Sequence, residues 1–237
     1  MRLNDPEAVR REYADESRFN VRQSVWAAAS GVSPQNVAIE ALIEVEPRRV
    51  LEVGPGKGEL AARIAGEVGA EIVAVDQSER MVELTRERGI DARLGDVQDL
   101  PFGEGEFDAA VAAWMLYHVP DVSRGLSELA RVLRPGGRLV AITNSETSLR
   151  ELWSRVGEGP KADYPFGREN GEELLRTHFG RVARRDVDGD VTFPDWEAAK
   201  AYVEASPVRA HRAAALEPFH GPLVARRRVS VFVADKQ

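Results

Sequence analysis

The amino-acid sequence predicts an α/β protein in which a mainly parallel, doubly wound sheet carries helices on both faces. Three observations predict it. From Arg48 to Asn144, short apolar runs alternate with segments of helical period. The first run leads directly into a glycine-rich bend, "VLEVGPGKGEL" (50–60). Start and stop residues fall where that alternation needs them. Apolar strands separated by helices build right-handed βαβ units, and therefore parallel pairing.

Taken in order, "RRVLEV" (48–53) is a strand and "GELAARIAGEVG" (58–69) a helix. "EIVAVD" (71–76) is a strand, and "SERMVELTRERG" (78–89) a helix capped by Ser78 and ended by Gly89. "DARLGD" (91–96) and "FDAAVAAW" (107–114) are strands. "DVSRGLSELARVLR" (121–134) is a helix with Asp121 as N-cap, "RPGG" (134–137) reads as a type II turn, and "GRLVAITN" (137–144) is a strand. Ahead of this block, "VRQSVWAAASG" (21–31) and "PQNVAIEALIEV" (34–45) have helical period. Behind it, "SLRELWSRVG" and "GEELLRTHFG" read as helices around a Gly/Pro-containing loop (157–167). "RVARRDVDGDVTF" (181–193) is a strand pair or one long strand, "PDWEAAKAYVEAS" (194–206) a helix opened by Pro194 and Asp195, and "RRRVSVFVAD" (226–235) a closing strand. No linker-like stretch interrupts them. The expectation is one domain: a helical lid (1–46), a core (47–145), and C-terminal helices and strands (146–237).

The 237 residues are 43% hydrophobic and 30% charged, enough to bury a sizeable core. There is no cysteine, which excludes disulfides, thiolate metal sites and a cysteine nucleophile. His118, His178, His211 and His220 show no metal-ligand spacing, so no metal is expected. A net charge of -7 is a poor match for phosphate backbones and argues against a nucleic-acid partner. Neither a signal-type nor a membrane-spanning apolar run occurs, and the reading is a cytoplasmic protein without membrane attachment. The basic run Arg226–Arg228 is read as charge guarding a terminal strand against edge pairing, in preference to an anion-binding patch.

The bend carries the function. Parallel sheets open clefts at the carboxyl ends of their strands. Glycines at 54, 56 and 58 let the chain turn sharply there and let a ligand lie against bare backbone. A plain tight turn would need one glycine. The third glycine comes one residue too early for the dinucleotide fingerprint, and the phosphate-loop pattern is absent. Asp76 ends the second strand, where a carboxylate can accept from both hydroxyls of a ribose. An adenosine-like ligand follows.

At this point the sequence resembles a family. "VLEVGPGKGEL", "VAVDQSERM", "GDVQDLPFGEGEFDAAVAAWMLYHVPD" and "ELARVLRPGGRLVAITN", in this order over residues 48–144, resemble the class I methyltransferases that use S-adenosylmethionine. The nearest branch is the small-molecule, type 11 group that includes the ubiquinone/menaquinone-like enzymes. The resemblance implies a Rossmann-like fold with a seven-stranded sheet, an N-terminal lid and a helical insertion after the fifth strand. It implies S-adenosylmethionine as cofactor, S-adenosylhomocysteine as product and a small-molecule acceptor. By that resemblance Gly54, Gly56 and Gly58 line the methionine moiety, and Glu52 orients the bend. Asp76 holds the ribose, Gln77 and Met81 flank the adenosine, Asp96 and the amide of Val97 meet the adenine, and Ala112 and Ala113 lie near the sulfonium. On the lid, Arg22 would meet the cofactor carboxylate and Tyr13 would close over the methyl group. Core packing for Met81 and a turn cap for Asp96 are the plainer alternatives.

Methyl transfer from a sulfonium needs alignment and exclusion of water more than an obligatory catalytic side chain. A base helps a hydroxyl or a protonated amine. His118 is the candidate, since imidazole titrates in the right range; a structural histidine bonded to loop backbone is the alternative. Trp114, Tyr117 and Asn144 are candidate acceptor contacts, and Trp153, Phe166 and Trp196 either shape that pocket or fill the core. Two other classes compete: a protein that binds the cofactor without methylating, and a nicotinamide oxidoreductase. The acceptor, its reacting atom and the oligomeric state are not encoded in any motif.

Overall fold

The computed structural model describes residues 4–5, 17–157, 159 and 164–237. Its elements follow the alternation predicted above, with ends shifted by up to a few residues. In chain order they are α1 (Ser17–Ala27), α2 (Pro34–Ile43), β1 (Arg49–Val53), α3 (Glu59–Glu67), β2 (Glu71–Asp76), α4 (Glu79–Glu87), β3 (Asp91–Leu94) and β4 (Phe107–Ala113). There follow α5 (Val122–Val132), β5 (Leu133–Asn144), α6 (Arg150–Trp153), α7 (Gly171–Arg176), β6 (Arg181–Phe193), α8 (Trp196–Glu204) and β7 (Leu223–Asp235). The seven strands form one sheet in the order β3-β2-β1-β4-β5-β7-β6. Pairing is parallel from β3 to β5, while β7 runs antiparallel to both neighbours.

Both faces of the sheet are covered. Val50, Ile72, Val140 and Val231 point one way, into Leu42 and Ala38 of α2 and Leu60 and Ile64 of α3. Leu51, Val73, Ala110 and Phe232 point the other way, into Leu126 and Leu129 of α5 and Leu175 of α7. Burial of both faces explains why these strands read as unbroken apolar runs. A third cluster, with Trp153, Phe193, Tyr202 and Leu223, closes the far end under α6 and α8.

One local expectation changes and two are sharpened. "RPGG" is no free turn: it forms the irregular start of β5, where Leu133 pairs with Phe107 and the next pair is Arg138 with Ala109. Gly136 takes φ +73° and donates to the Lys236 carbonyl, so the extra residues are absorbed as a bulge held by the chain's last strand. Residues 181–193 are one long strand, paired with β7 along their full length. The basic run 226–228 lies on β7, which is an inner strand; β6 is the edge, so edge protection is not what these arginines do.

Candidate functional site: the crevice at the tips of β1, β2 and β4

Register brings the site together. Val53 pairs with Val75 on one side and Ala112 on the other. The next residue of each strand, Gly54, Asp76 and Ala113, therefore stands at a common edge, and all three line a cavity of about 670 Å³. That volume lies within the usual range for small-molecule sites.

The bend needs its glycines. Gly54, Gly56 and Gly58 have φ of +65°, +58° and +74°, a region that side-chain-bearing residues rarely adopt. A Cβ at Gly54 would come 2.7 Å from the Met115 side chain, and one at Gly56 would come 3.2 Å from the Phe19 ring on α1. At Gly58, the N-cap of α3, it would meet Thr85 at 2.9 Å. The turn is fastened by Gly54 N–H donating to Val75 O (2.8 Å) and by Thr85 Oγ1 donating to Gly56 O (3.1 Å).

Two acids stand behind it. Asp76 accepts from the backbone N–H of Ser78 at 2.9 Å, and the amides of Gly56 and Gln77 also point at its carboxylate. Burial pushes its pKa up to about 6, against those hydrogen bonds. Glu52 is 1% exposed, its Oε2 has no partner among the described residues, and burial followed by the charge of Asp76 pushes it up to about 8. A bare backbone turn, an orphaned buried carboxyl oxygen and a partly buried carboxylate make a cradle for a polar ligand with hydroxyl and amino donors, and S-adenosylmethionine fits that description.

The remaining expected residues divide. Gln77, Asp96, Val97, Trp114, Tyr117, His118, Asn144 and Arg22 line the same cavity. Gly58, Met81 and Ala112 do not: Gly58 starts α3, Met81 is buried in α4, and Ala112 sits one pair deeper in the sheet. Tyr13 lies outside the described residues. Asp96 accepts from the backbone N–H of Gln98 at 2.9 Å. Trp114 has the strained φ of +54° and donates from Nε1 to Asn144 Oδ1 at 3.2 Å. His118 is 8% exposed in a single 3-10 turn, edge-on to the Tyr117 ring at 4.5 Å. Arg22 donates to the Ala205 carbonyl after α8. Of the aromatic residues offered by the C-terminal part, Trp153 lines the cavity, Phe166 is core, and Trp196 donates to the Leu216 carbonyl. Phe19, Trp26, Tyr164, Tyr202, Arg209 and Arg227 also line it. Sequence reasoning missed the first five as site residues, because each lies outside any motif.

The sheet order, with its antiparallel seventh strand, and the crevice at the tips of β1, β2 and β4 define the class: a Rossmann-like α/β transferase fold of the class I methyltransferase type. Comparison with known proteins gives the family. Residues 51–141 match the family model described as a methyltransferase domain. An uncharacterized methyltransferase of Mycobacterium tuberculosis is 36% identical over 126 residues, 51% of each chain. A demethylmenaquinone methyltransferase of Thermus thermophilus is 37% identical over 132 residues, 53% of this chain and 60% of that one. The solved structure of the [4+2]-cyclase SpnF shares the fold at a TM-score of 0.59 and 23% identity, covering 85% of this chain and 79% of that one. Residues 51–141 are thus similar to methyltransferase domains, as are the matched stretches of both relatives. The chain spans 51% and 60% of the lengths of these two curated relatives.

Proposed function

We propose that this protein transfers a methyl group from S-adenosylmethionine to an oxygen, nitrogen or carbon nucleophile of a small molecule. The observation that carries the reading is the shared edge of Gly54, Asp76 and Ala113, with the Gly56 amide turned onto the Asp76 carboxylate. Bound there, S-adenosylmethionine would supply a methyl group activated by its sulfonium, with a neutral thioether as the leaving group. Asp76 accepts from the ribose hydroxyls, and Gln77, Asp96 and the Val97 amide surround the adenosine. Arg22 is the cation for the cofactor carboxylate, released from the Ala205 carbonyl. His118 takes the acceptor's proton when the nucleophile carries one, and Trp114, Tyr117 and Asn144 position the acceptor. Of the described residues, 17–46 form the lid, 47–145 the cofactor core, and 146–157 with 164–237 the acceptor-shaping part. The acidic chain favours a small-molecule acceptor over nucleic acid.

Separate calorimetric titrations with S-adenosylmethionine, S-adenosylhomocysteine and NADH are expected to show binding of the first two alone. Release of S-adenosylhomocysteine against a panel of small nucleophiles then identifies the acceptor. Absence of S-adenosylmethionine binding would sink the reading. The fold shared with a [4+2]-cyclase favours one second reading, a non-methylating enzyme or a non-catalytic cofactor-binding protein. That reading predicts cofactor binding with no methyl turnover against any acceptor.

A further inference from the structure

Arg227 has no part in the reading above, and its setting calls for one. It lies on β7, is 4% exposed, and lines the cavity. Its Nη2 donates to the carbonyls of Ser30 (3.2 Å) and Val32 (2.8 Å). Its Nε has no partner among the described residues, and Nη1 makes no hydrogen bond to any of them. The nearby acids are taken: Asp190 pairs with Arg226 at 3.0 Å and Asp188 with Arg168. Among the described residues no acid pairs with Arg227 in contact; Asp188 acts on it only through its charge, against the burial and the charge of Arg226. A buried guanidinium with an unpartnered Nε is expensive, and an anion supplied from the cavity relieves it.

A second cation stands at the same end. The Arg209 guanidinium lies over the Trp153 ring, 4.4 Å from its centroid, and its charge acts on the hydroxyls of both Tyr164 and Tyr202. The groups assigned above to the cofactor, Glu52, Asp76 and Asp96, belong to β1, β2 and the end of β3. In the sheet order β7 lies beyond β4 and β5 from those strands, so Arg227 falls to the acceptor side. Flat aromatic walls complete it: Trp114 is held by Asn144, and the Tyr164 ring lies 5.3 Å from Tyr117.

Resting on the methyl-transfer reading, we propose that the acceptor is a small aromatic acid, its ring seated between Trp114 and Tyr164 and its carboxylate taken by Arg227 and Arg209. A carboxylate in that grip has its lone pairs engaged by charge-assisted hydrogen bonds. It is therefore the handle, and the methyl group goes to another atom of the acceptor.

The test is calorimetry on the full chain, with and without saturating S-adenosylhomocysteine. The probes are three matched pairs: 1-hydroxy-2-naphthoate, indole-3-carboxylate and benzoate, each with its neutral amide. At least one acid is expected to bind tenfold or more tighter than its amide. That gap should shrink below threefold in Arg227→Gln and in Arg209→Gln. If Arg227→Gln does not fold, as judged by circular dichroism, the half-buried Arg209 carries the comparison. Equal binding of acids and amides, no binding of either, or a gap that survives in the folded variants would overturn the proposal. Failure of S-adenosylhomocysteine to bind would sink the methyl-transfer reading instead, and the titrations without it still report the anion preference.

Discussion

Asp76 and Glu52 are neighbours with opposite relations to protons. Asp76 works as a carboxylate, and its pKa is raised to about 6 by burial. Asp76→Ala is expected to weaken S-adenosylhomocysteine binding by about 1–3 kcal/mol, read by calorimetry. Wild-type affinity should fall as pH drops from 7.5 to 5, and that fall should vanish in the variant; an unchanged affinity would show the ribose site to be elsewhere. Glu52 stays protonated in the folded chain up to about pH 8, whereas its ordinary value is 4.5. Between those values only the folded state holds the proton, so stability is lost as pH rises, by at most about 1.4 kcal/mol per unit. Glu52→Gln removes that contribution. Urea unfolding at pH 5, 6.5 and 8 is expected to show a shallower decline in the variant. Gly54, Gly56, Asp76 and His118 line the cavity, at or after the strand tips where residue type and spacing put them, while Gly58, expected with them, starts α3 instead. Tyr164 and Arg209 were not legible: they sit in irregular segments where no period predicts which way a side chain faces. Arg227 was misread, because a basic run on the last strand looks like edge protection until the sheet order is known.

At the scale of elements, capping chemistry set the boundaries well. Ser78 accepts from Met81 N–H, Asp121 from Arg124 N–H at 3.0 Å, and Asp195 from Ala198 N–H at 2.8 Å, each as the sequence placed it. Asp195→Ala is expected to destabilise the fold by about 1 kcal/mol in denaturant unfolding, while leaving S-adenosylhomocysteine affinity unchanged. A loss of that affinity would tie α8 to the cofactor half. The element "RPGG" keeps the positive φ at Gly136 that its turn signature requires, and shows where local signals stop. Proline followed by glycine favours a turn in isolation, yet Lys236, a hundred residues later, accepts from the Gly136 amide and draws the segment into the sheet. The single 3-10 turns at Leu116–His118 and Ala210–Ala215 were unread for the same reason, since three to six residues are too few for a period to show.

Across the whole molecule, one cation joins layers that the chain visits far apart. Arg138 of β5 donates to the Ala41 carbonyl and Glu44 beside α2, each at 2.9 Å, and to Asp235 at the end of β7 at 2.8 Å. Arg138→Ala is expected to destabilise by about 1.5–3 kcal/mol, the range for hydrogen bonds to charged groups, read by urea unfolding. A change within experimental error would mean the layers hold by apolar contact alone. Helix α1 makes a different set of long ties. Phe19 rests against the Gly56 backbone, Gln23 donates to Glu59 at 2.7 Å, and Arg22 reaches the Ala205 carbonyl. In the lid role proposed above, this strap is expected to slow the exit of a ligand held beneath it, so residence time and affinity become separable quantities. Gln23→Ala should shorten the lifetime of bound S-adenosylhomocysteine in stopped-flow displacement more than it changes the association rate, and an unaltered off-rate would mean that ligands exchange by another door.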